Sequence, residues 1–215
     1  VLNNISFEAK PGEVTAVIGG TGSGKSTLVN LILRFYDIES GNILIDGVDI
    51  RDIPQKDLRS KIGFVPQKAV LFSGSIAHNI RYGKEEATFE EIEWAARIAQ
   101  ARGFILGMKD GFNSMVAQGG TNLSGGQKQR LSIARALVKR PDIYVFDDSF
   151  SALDFKTDAR LRAALKKEIA ESTVIIVAQR VSTIMDADRI IVLDNGEIAG
   201  VGTHNELLKA CRVYR

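Results

Sequence analysis

The stretch Gly19-Gly20-Thr21-Gly22-Ser23-Gly24-Lys25-Ser26 satisfies G-x-x-x-x-G-K-[ST]. It lies between a short apolar run, Val14–Ile18, and a segment, Lys25–Arg34, whose apolar residues Leu28, Leu31 and Ile32 recur at helical spacing. Strand, glycine loop and helix in that order leave few folds open. Glycines let successive backbone N–H groups turn inward around an anion where a Cβ would obstruct them. The helix starting near Lys25 adds its positive end. Lys25 reaches β/γ-phosphates as a point charge, and Ser26 offers a hydroxyl to Mg²⁺. A merely flexible turn explains the glycines but not the lysine, the hydroxyl or the flanking elements.

The rest of the chain alternates strand and helix signals. A strand is expected over Asn4–Ala9, within an apolar pattern of Val1, Leu2, Ile5 and Phe7 that closes at the Pro11-Gly12 turn. Ile43–Asp46 and Val48–Ile50 flank Asp46-Gly47 as a hairpin, and Ile62–Val65 is another short strand. From about Ser75 to Lys139 strand signals nearly vanish, and Glu90–Ala101 and Gly126–Val138 are amphipathic helices. After Pro141, strands at Ile143–Phe146, Val174–Val177 and Arg189–Leu193 alternate with helices at Thr157–Ile169 and Val181–Met185. An Asn195-Gly196 turn then leads to Ile198–Val201 and a helix at Asn205–Ala210. Such alternation predicts an α/β fold with a mostly parallel sheet. We expect a core of about 1–74 and 140–215 and a helical lobe of about 75–139.

Composition supports one ordinary globular domain: 215 residues, 45% hydrophobic and 25% charged. With 28 Lys+Arg against 26 Asp+Glu the surplus is +2, which makes no case for nucleic acid. The lone Cys211 forms no internal disulfide, and no apolar run approaches the roughly 20 residues that cross a bilayer. Because the pattern opens in mid-strand and ends at Arg215 without a closing signal, the expectation is a domain cut from something longer.

Further features bear on chemistry. Ile143-Tyr144-Val145-Phe146-Asp147 is an apolar strand ending in a carboxylate, which a parallel sheet sets at its carboxyl edge beside the phosphate loop. Asp147 suits Mg²⁺, and Asp148 is the candidate for orienting or deprotonating an attacking water. Leu123-Ser124-Gly125-Gly126-Gln127 precedes a helical pattern. Alone it is a cap and turn signal, but a second anion site in another lobe suggests a nucleotide held by another subunit.

With these residues in view, the chain resembles, over essentially its whole length, the nucleotide-binding domain of an ATP-binding cassette transporter of the exporter type. That family has a RecA-like P-loop core, an antiparallel β subdomain and a helical subdomain carrying the signature motif. The matching residues are the Walker A loop Gly19–Thr27, whose ATP contacts would include Thr27, the Q-loop residue Gln67 in Val65-Pro66-Gln67, the signature Leu123–Gln127, the Walker B strand Ile143–Asp147 and Ser151-Ala152-Leu153-Asp154. The resemblance implies ATP and Mg²⁺, and a head-to-tail dimer in which Ser124 and Gly126 contact the γ-phosphate held by the partner. Gln67 would join Ser26 and Asp147 around Mg²⁺, Asp154 would lie at the dimer contact, and the Gln67 region would face transmembrane domains of the same polypeptide. The location implied is the cytoplasmic face of the plasma membrane.

The chain departs from the family where hydrolysis is carried out. The glutamate usual after Walker B is Asp148, the histidine usual after the next strand is Gln179 in Ala178-Gln179-Arg180, and an acidic position before the signature is Gln118. Losing one methylene withdraws a carboxylate by roughly 1 Å, a displacement that can cost on the order of 100-fold in rate. Gln179 can donate a neutral hydrogen bond but cannot become cationic. With Lys25 intact, ATP still binds. The expectation is one half of a heterodimeric exporter resembling bacterial multidrug transporters, its own site slow and its signature completing the site of a partner that carries Glu and His. A non-hydrolysing regulatory clamp, or a soluble cassette ATPase acting on nucleic acid or ribosomes, stands as the alternative.

The remaining candidates read more plainly. The family's adenine-stacking aromatic lies upstream of the opening strand, and Tyr36 and Tyr82 fall in the wrong places, so weaker ATP binding than in a longer chain is expected. Trp94 reads as packing, His78 and His204 as structural or exposed, Lys166-Lys167 as a solvated face, and Arg130 and Arg135 as support for the signature helix.

Overall fold

The computed structural model describes residues 2–215; the part of the opening pattern that falls on Val1 lies outside the described residues. In chain order the elements begin with β1 (Val14–Gly19), α1 (Lys25–Ile32), β2 (Leu44–Ile45), β3 (Val48–Asp49), α2 (Gln55–Lys61) and β4 (Ile62–Val65). Then come β5 (Gly74–Ser75), α3 (Ile76–Arg81), α4 (Phe89–Ile98), α5 (Arg102–Leu106), β6 (Met115–Val116) and α6 (Gly125–Val138). The last are β7 (Ile143–Asp147), α7 (Phe155–Glu168), β8 (Thr173–Ala178), β9 (Arg189–Asp194), β10 (Glu197–Gly202) and α8 (His204–Ala210). They fall into two units. The first holds the described residues up to Gly63 with Asp142–Asp148 and Ser172–Arg215; the second holds Phe64–Pro141 and Ser149–Glu171.

The first unit is built on a sheet ordered β10-β9-β1-β8-β7, followed by Ile62 and Gly63 of β4. β1 is parallel to both neighbours, with Val17 opposite Val177 on one side and Ile191 on the other. Every residue of β8 is buried, which is why it reads as an unbroken apolar run rather than an alternating one. β10 returns antiparallel to β9 and alternates exposed with half-buried residues. The short β2–β3 hairpin turns through Asp46 (φ 53°) and Gly47 (φ 80°), both left-handed as a type I′ turn requires.

Three expectations differ from the structure here. Helix α1 stops at Ile32 rather than Arg34. Arg34 takes φ 50°, and its Nη1 donates to the carbonyls of Ile50, Arg51 and Ile53 at 3.0–3.2 Å, which fastens the segment after β3. Asn4–Ala9 is not a strand, although Ile5, Phe7 and Ala9 are half-buried between exposed neighbours. Its two-residue period reports which side is covered, while the ladder is missing after a left-handed Asn4. Val181–Met185 reduces to one 3₁₀ turn at Val181–Thr183.

In the second unit α3, α4 and α6 pack around Ile76, Ile80, Ile92, Leu131 and Leu137, all wholly buried. Thr88 and Glu91 form a capping box that starts α4. Arg135 of α6 donates to Asn79 O (2.8 Å), Val70 O (2.9 Å) and Asn79 Oδ1 (3.1 Å), with its guanidinium over the rings of Phe72 and Tyr82. Trp94 packs as expected, its Nε1 donating to Glu168 at 3.2 Å and its ring lying under the Arg140 guanidinium.

Candidate functional site

In the first unit the phosphate loop leaves the carboxyl end of β1, between β9 and β8, and runs into α1. Gly19 is forced to be glycine, since a Cβ there would run into the Leu193 carbonyl oxygen and the Ser23 hydroxyl. Gly22 and Gly24 hold φ 81° and 103°. Gly20 and Gly22 face open space, so the loop forms a cradle that Cβ atoms would fill. Gly24 caps α1 without any side-chain bond, and no acidic residue occupies the first turn, so the positive end of α1 stays available to an anion. These features fit a polyphosphate.

Lys25 is buried, and its Nζ donates to Gly19 O (2.6 Å), Gly20 O (2.8 Å) and Ser23 Oγ (3.4 Å). Burial pulls its pKa below the ordinary lysine value, against the attraction of Asp148 and Asp147. Asp147 ends β7 in register with Val177 of β8. Burial, followed by the neighbouring Asp148 carboxylate, pushes the Asp147 carboxyl above the usual range, with Lys25 opposing. Two adjacent carboxylates are hard oxygen donors of the kind a divalent cation takes, and Ser26, exposed beside Lys25, offers a hydroxyl. This donor set fits Mg²⁺.

Asp148 follows in a left-handed conformation, φ 44°. Gln179 is exposed and directly follows Ala178, the last residue of β8. Thr21 is exposed and Thr27 half-buried at the start of α1. The structure thus brings Gly19–Thr27, Asp147, Asp148 and Gln179 into one unit.

The second unit carries the other candidates. Ser124 caps α6: its Oγ accepts from Gln127 N–H (3.2 Å), and Gln127 Oε1 accepts from Ser124 N–H (2.9 Å). The serine therefore accepts from its own helix and keeps its hydroxyl proton to donate. Gln127 closes the capping box without charge, so the first turn of α6 carries no acidic residue to repel an anion. Leu123 is buried, Gly125 faces open space, and a Cβ on Gly126 would stand 3.2 Å from Ala152 O. Arg130 supports this helix, donating to Gly126 O and Gln100 O with its guanidinium over Phe104. Asp154 caps α7 by accepting from Thr157 N–H at 3.0 Å, and hydrogen bonds from Thr157 hold its carboxyl below the usual range. Gln67 is exposed just after β4.

No pattern or motif in the sequence marks Ser149 or Gln129. Both are buried, and they bond the Val65 and Pro66 carbonyls respectively, just before Gln67. The described residues contain no cluster of His, Cys, Asp and Glu able to hold a metal by itself, and His78 is exposed. Nor does any described helix have the length and apolarity to cross a membrane.

Comparison with known proteins bears on the family and the fold. The family model described as ABC transporter matches residues 2–151. An uncharacterised ABC transporter ATP-binding protein of Mycobacterium tuberculosis is 52% identical, covering 100% of this chain and 37% of that protein. An uncharacterised ABC transporter ATP-binding protein of Bacillus subtilis is 49% identical, again over 100% of this chain and 37% of that protein. Among solved structures, that of a bacterial Atm1-family ABC exporter with ATP bound superposes with a TM-score of 0.96 at 43% identity, covering 99% of this chain and 37% of that one. The chain thus spans little more than a third of the length of these relatives.

Proposed function

The chain belongs to the ABC transporter family as its ATP-binding domain, and from that premise we propose that it drives an exporter as one of two unequal nucleotide-binding halves. Gly19–Thr27 would hold the triphosphate of ATP, Lys25 its β/γ-phosphates, and Ser26, Asp147 and Gln67 the Mg²⁺. Bound there, the ion would screen phosphate charge and fix the geometry of the γ-phosphate. The observation that carries this is the buried Lys25 ammonium, held on the loop carbonyls and attracted by Asp147 and Asp148.

Hydrolysis at this site would be slow. The short Asp148 carboxylate orients a water less well than a glutamate would, and Gln179 supplies a neutral donor where an imidazole could carry charge. Ser124 and the α6 N-terminus are intact, which supports a role in completing a site on a second nucleotide-binding domain that has Glu and His at the corresponding positions. Asp154 would stand at that contact. The transmembrane domains belong to the same polypeptide, with this domain on the cytoplasmic face of the cell membrane and no nucleic acid partner.

The test is to purify the full-length protein with its partners from membranes and identify them by mass spectrometry. A second, different subunit carrying Glu and His supports unequal halves. Copies of this chain alone overturn them. If turnover persists in the assembly after the glutamate of the second subunit is removed, this chain hydrolyses ATP itself; if it stops, the chain is a non-hydrolysing clamp.

A further inference from the structure

The segment that leads into Gln67 is held in an unusual way. Pro66 has no N–H, so the residue before Gln67 can be fixed to its surroundings only through its carbonyl. That carbonyl and the preceding one are each taken by a buried side chain. Ser149, with no exposed surface, donates its hydroxyl to Val65 O at 2.8 Å. Gln129, 2% exposed, donates Nε2 to Pro66 O at 3.0 Å.

Buried hydroxyls and amides need partners, and any nearby carbonyl would satisfy them. Here the acceptors are consecutive, and they immediately precede the exposed Gln67. The two donors come from segments with chemistry of their own. Ser149 directly follows Asp148, and Gln129 lies in the helix that Ser124 caps, about one turn from its start.

We propose that Ser149 and Gln129 are positioning residues for Gln67: two side-chain bonds to the Val65 and Pro66 carbonyls fix the root from which Gln67 presents its amide. The inference rests on the metal role proposed above for Gln67. Both side chains are committed to these carbonyls, so each acts through Gln67 rather than as a ligand. Each sets the root from which Gln67 reaches. Removing either bond leaves the carbonyl in place but loosens that root.

The test uses the full-length transporter with its partners in lipid nanodiscs, titrated with Mn²⁺ while binding of a fluorescent ATP analogue is followed in the cold. Loss of an outer partner of a metal site typically lowers metal affinity about 10–100-fold. Ser149→Ala is therefore expected to raise the half-saturating Mn²⁺ by about 10-fold, and Gln129→Met to act in the same direction. In a Gln67→Ala background both changes are expected to add nothing, because the residue they position is gone. Equal shifts with and without Gln67 overturn the proposal, since a purely structural role acts in both backgrounds. So does a fall in thermal midpoint with no change in Mn²⁺ dependence. If Gln67→Ala itself leaves the Mn²⁺ dependence unchanged, the metal role of Gln67 fails and the proposal falls with it. A shift with Gln67→Ala but none with Ser149→Ala or Gln129→Met overturns the positioning alone.

Discussion

Asp148 donates its backbone N–H to the carbonyl oxygen of Val177 at 2.8 Å, carrying the β7–β8 pairing one residue beyond Asp147. Val177 lies two residues before Gln179, so the two positions that depart from the family's hydrolytic pattern sit at the ends of neighbouring paired strands. Asp148 makes this bond at φ 44°, a region that Asp and Asn enter more readily than other side chains. The shorter acid is the easier one to hold there.

Two effects therefore oppose each other in Asp148→Glu. The longer arm recovers about 1 Å of reach, while the left-handed backbone costs the larger side chain up to about 1 kcal/mol. With Gln179→His added, single-turnover hydrolysis at this site, measured with the second site disabled, is expected to rise on the order of 100-fold. Unchanged turnover with ATP still bound would show that Asp148 and Gln179 are not what limits this site.

Asp147→Asn separates stability from binding. Its carboxyl titrates above the unfolded value of 3.8 because of burial and the Asp148 charge. Between 3.8 and that raised value the folded chain binds the extra proton, so stability falls as pH rises, and at neutral pH the full penalty stands. Without nucleotide or divalent ion, Asp147→Asn is expected to raise the thermal midpoint at pH 7. The gain disappears as pH falls through the folded pKa towards 3.8. Mg²⁺-dependent ATP binding should weaken in the same variant. A midpoint gain that stays constant down to acid pH would mean the carboxylate is not penalised by its surroundings.

How much of this was legible depended on whether the chemistry is contiguous. Gly19–Ser26 is one uninterrupted stretch whose residue types declare their own geometry, and Ser124–Gln127 is a local capping box. Asn4–Ala9 misled because alternation records covering of one face, whereas a ladder needs a neighbour that periodicity cannot reveal. Arg34 looked like one more helical residue, but carbonyls 16 to 19 residues away draw it out of the helix. Ser149 and Gln129 were invisible for the same reason, their acceptors lying 84 and 63 residues away.

Arg135→Lys tests a different dependence on geometry. The planar guanidinium bonds two carbonyls and the Asn79 amide oxygen at once while covering Phe72 and Tyr82, which joins α6 to α3. An ammonium keeps the charge but cannot reproduce the fork or lie flat on the rings. Denaturant unfolding should show a loss of about 2 kcal/mol, one charge-assisted bond's worth, even though net charge is unchanged. A loss no larger than a few tenths would assign the fastening of α3 to apolar contacts instead.

Ser124→Asp asks whether the serine serves its helix or a phosphate outside it. As a cap it accepts from Gln127 N–H, and aspartate does this equally well, with its charge also favouring the positive end of α6. The folded domain should keep its thermal midpoint or gain slightly. Towards an anion the two residues are opposites, since serine retains a proton to give and aspartate presents a negative charge with nothing to donate. If Ser124 contacts the γ-phosphate held by a second nucleotide-binding domain, Ser124→Asp should abolish ATP-driven closure of the assembly and its turnover, while ATP still binds at Lys25. Ser124→Ala is the complementary control: it removes the cap, at about 1 kcal/mol, but introduces no charge. It should lose stability yet keep more turnover than Ser124→Asp. Full turnover in Ser124→Asp would confine Ser124 to capping and remove the signature helix from the composite site.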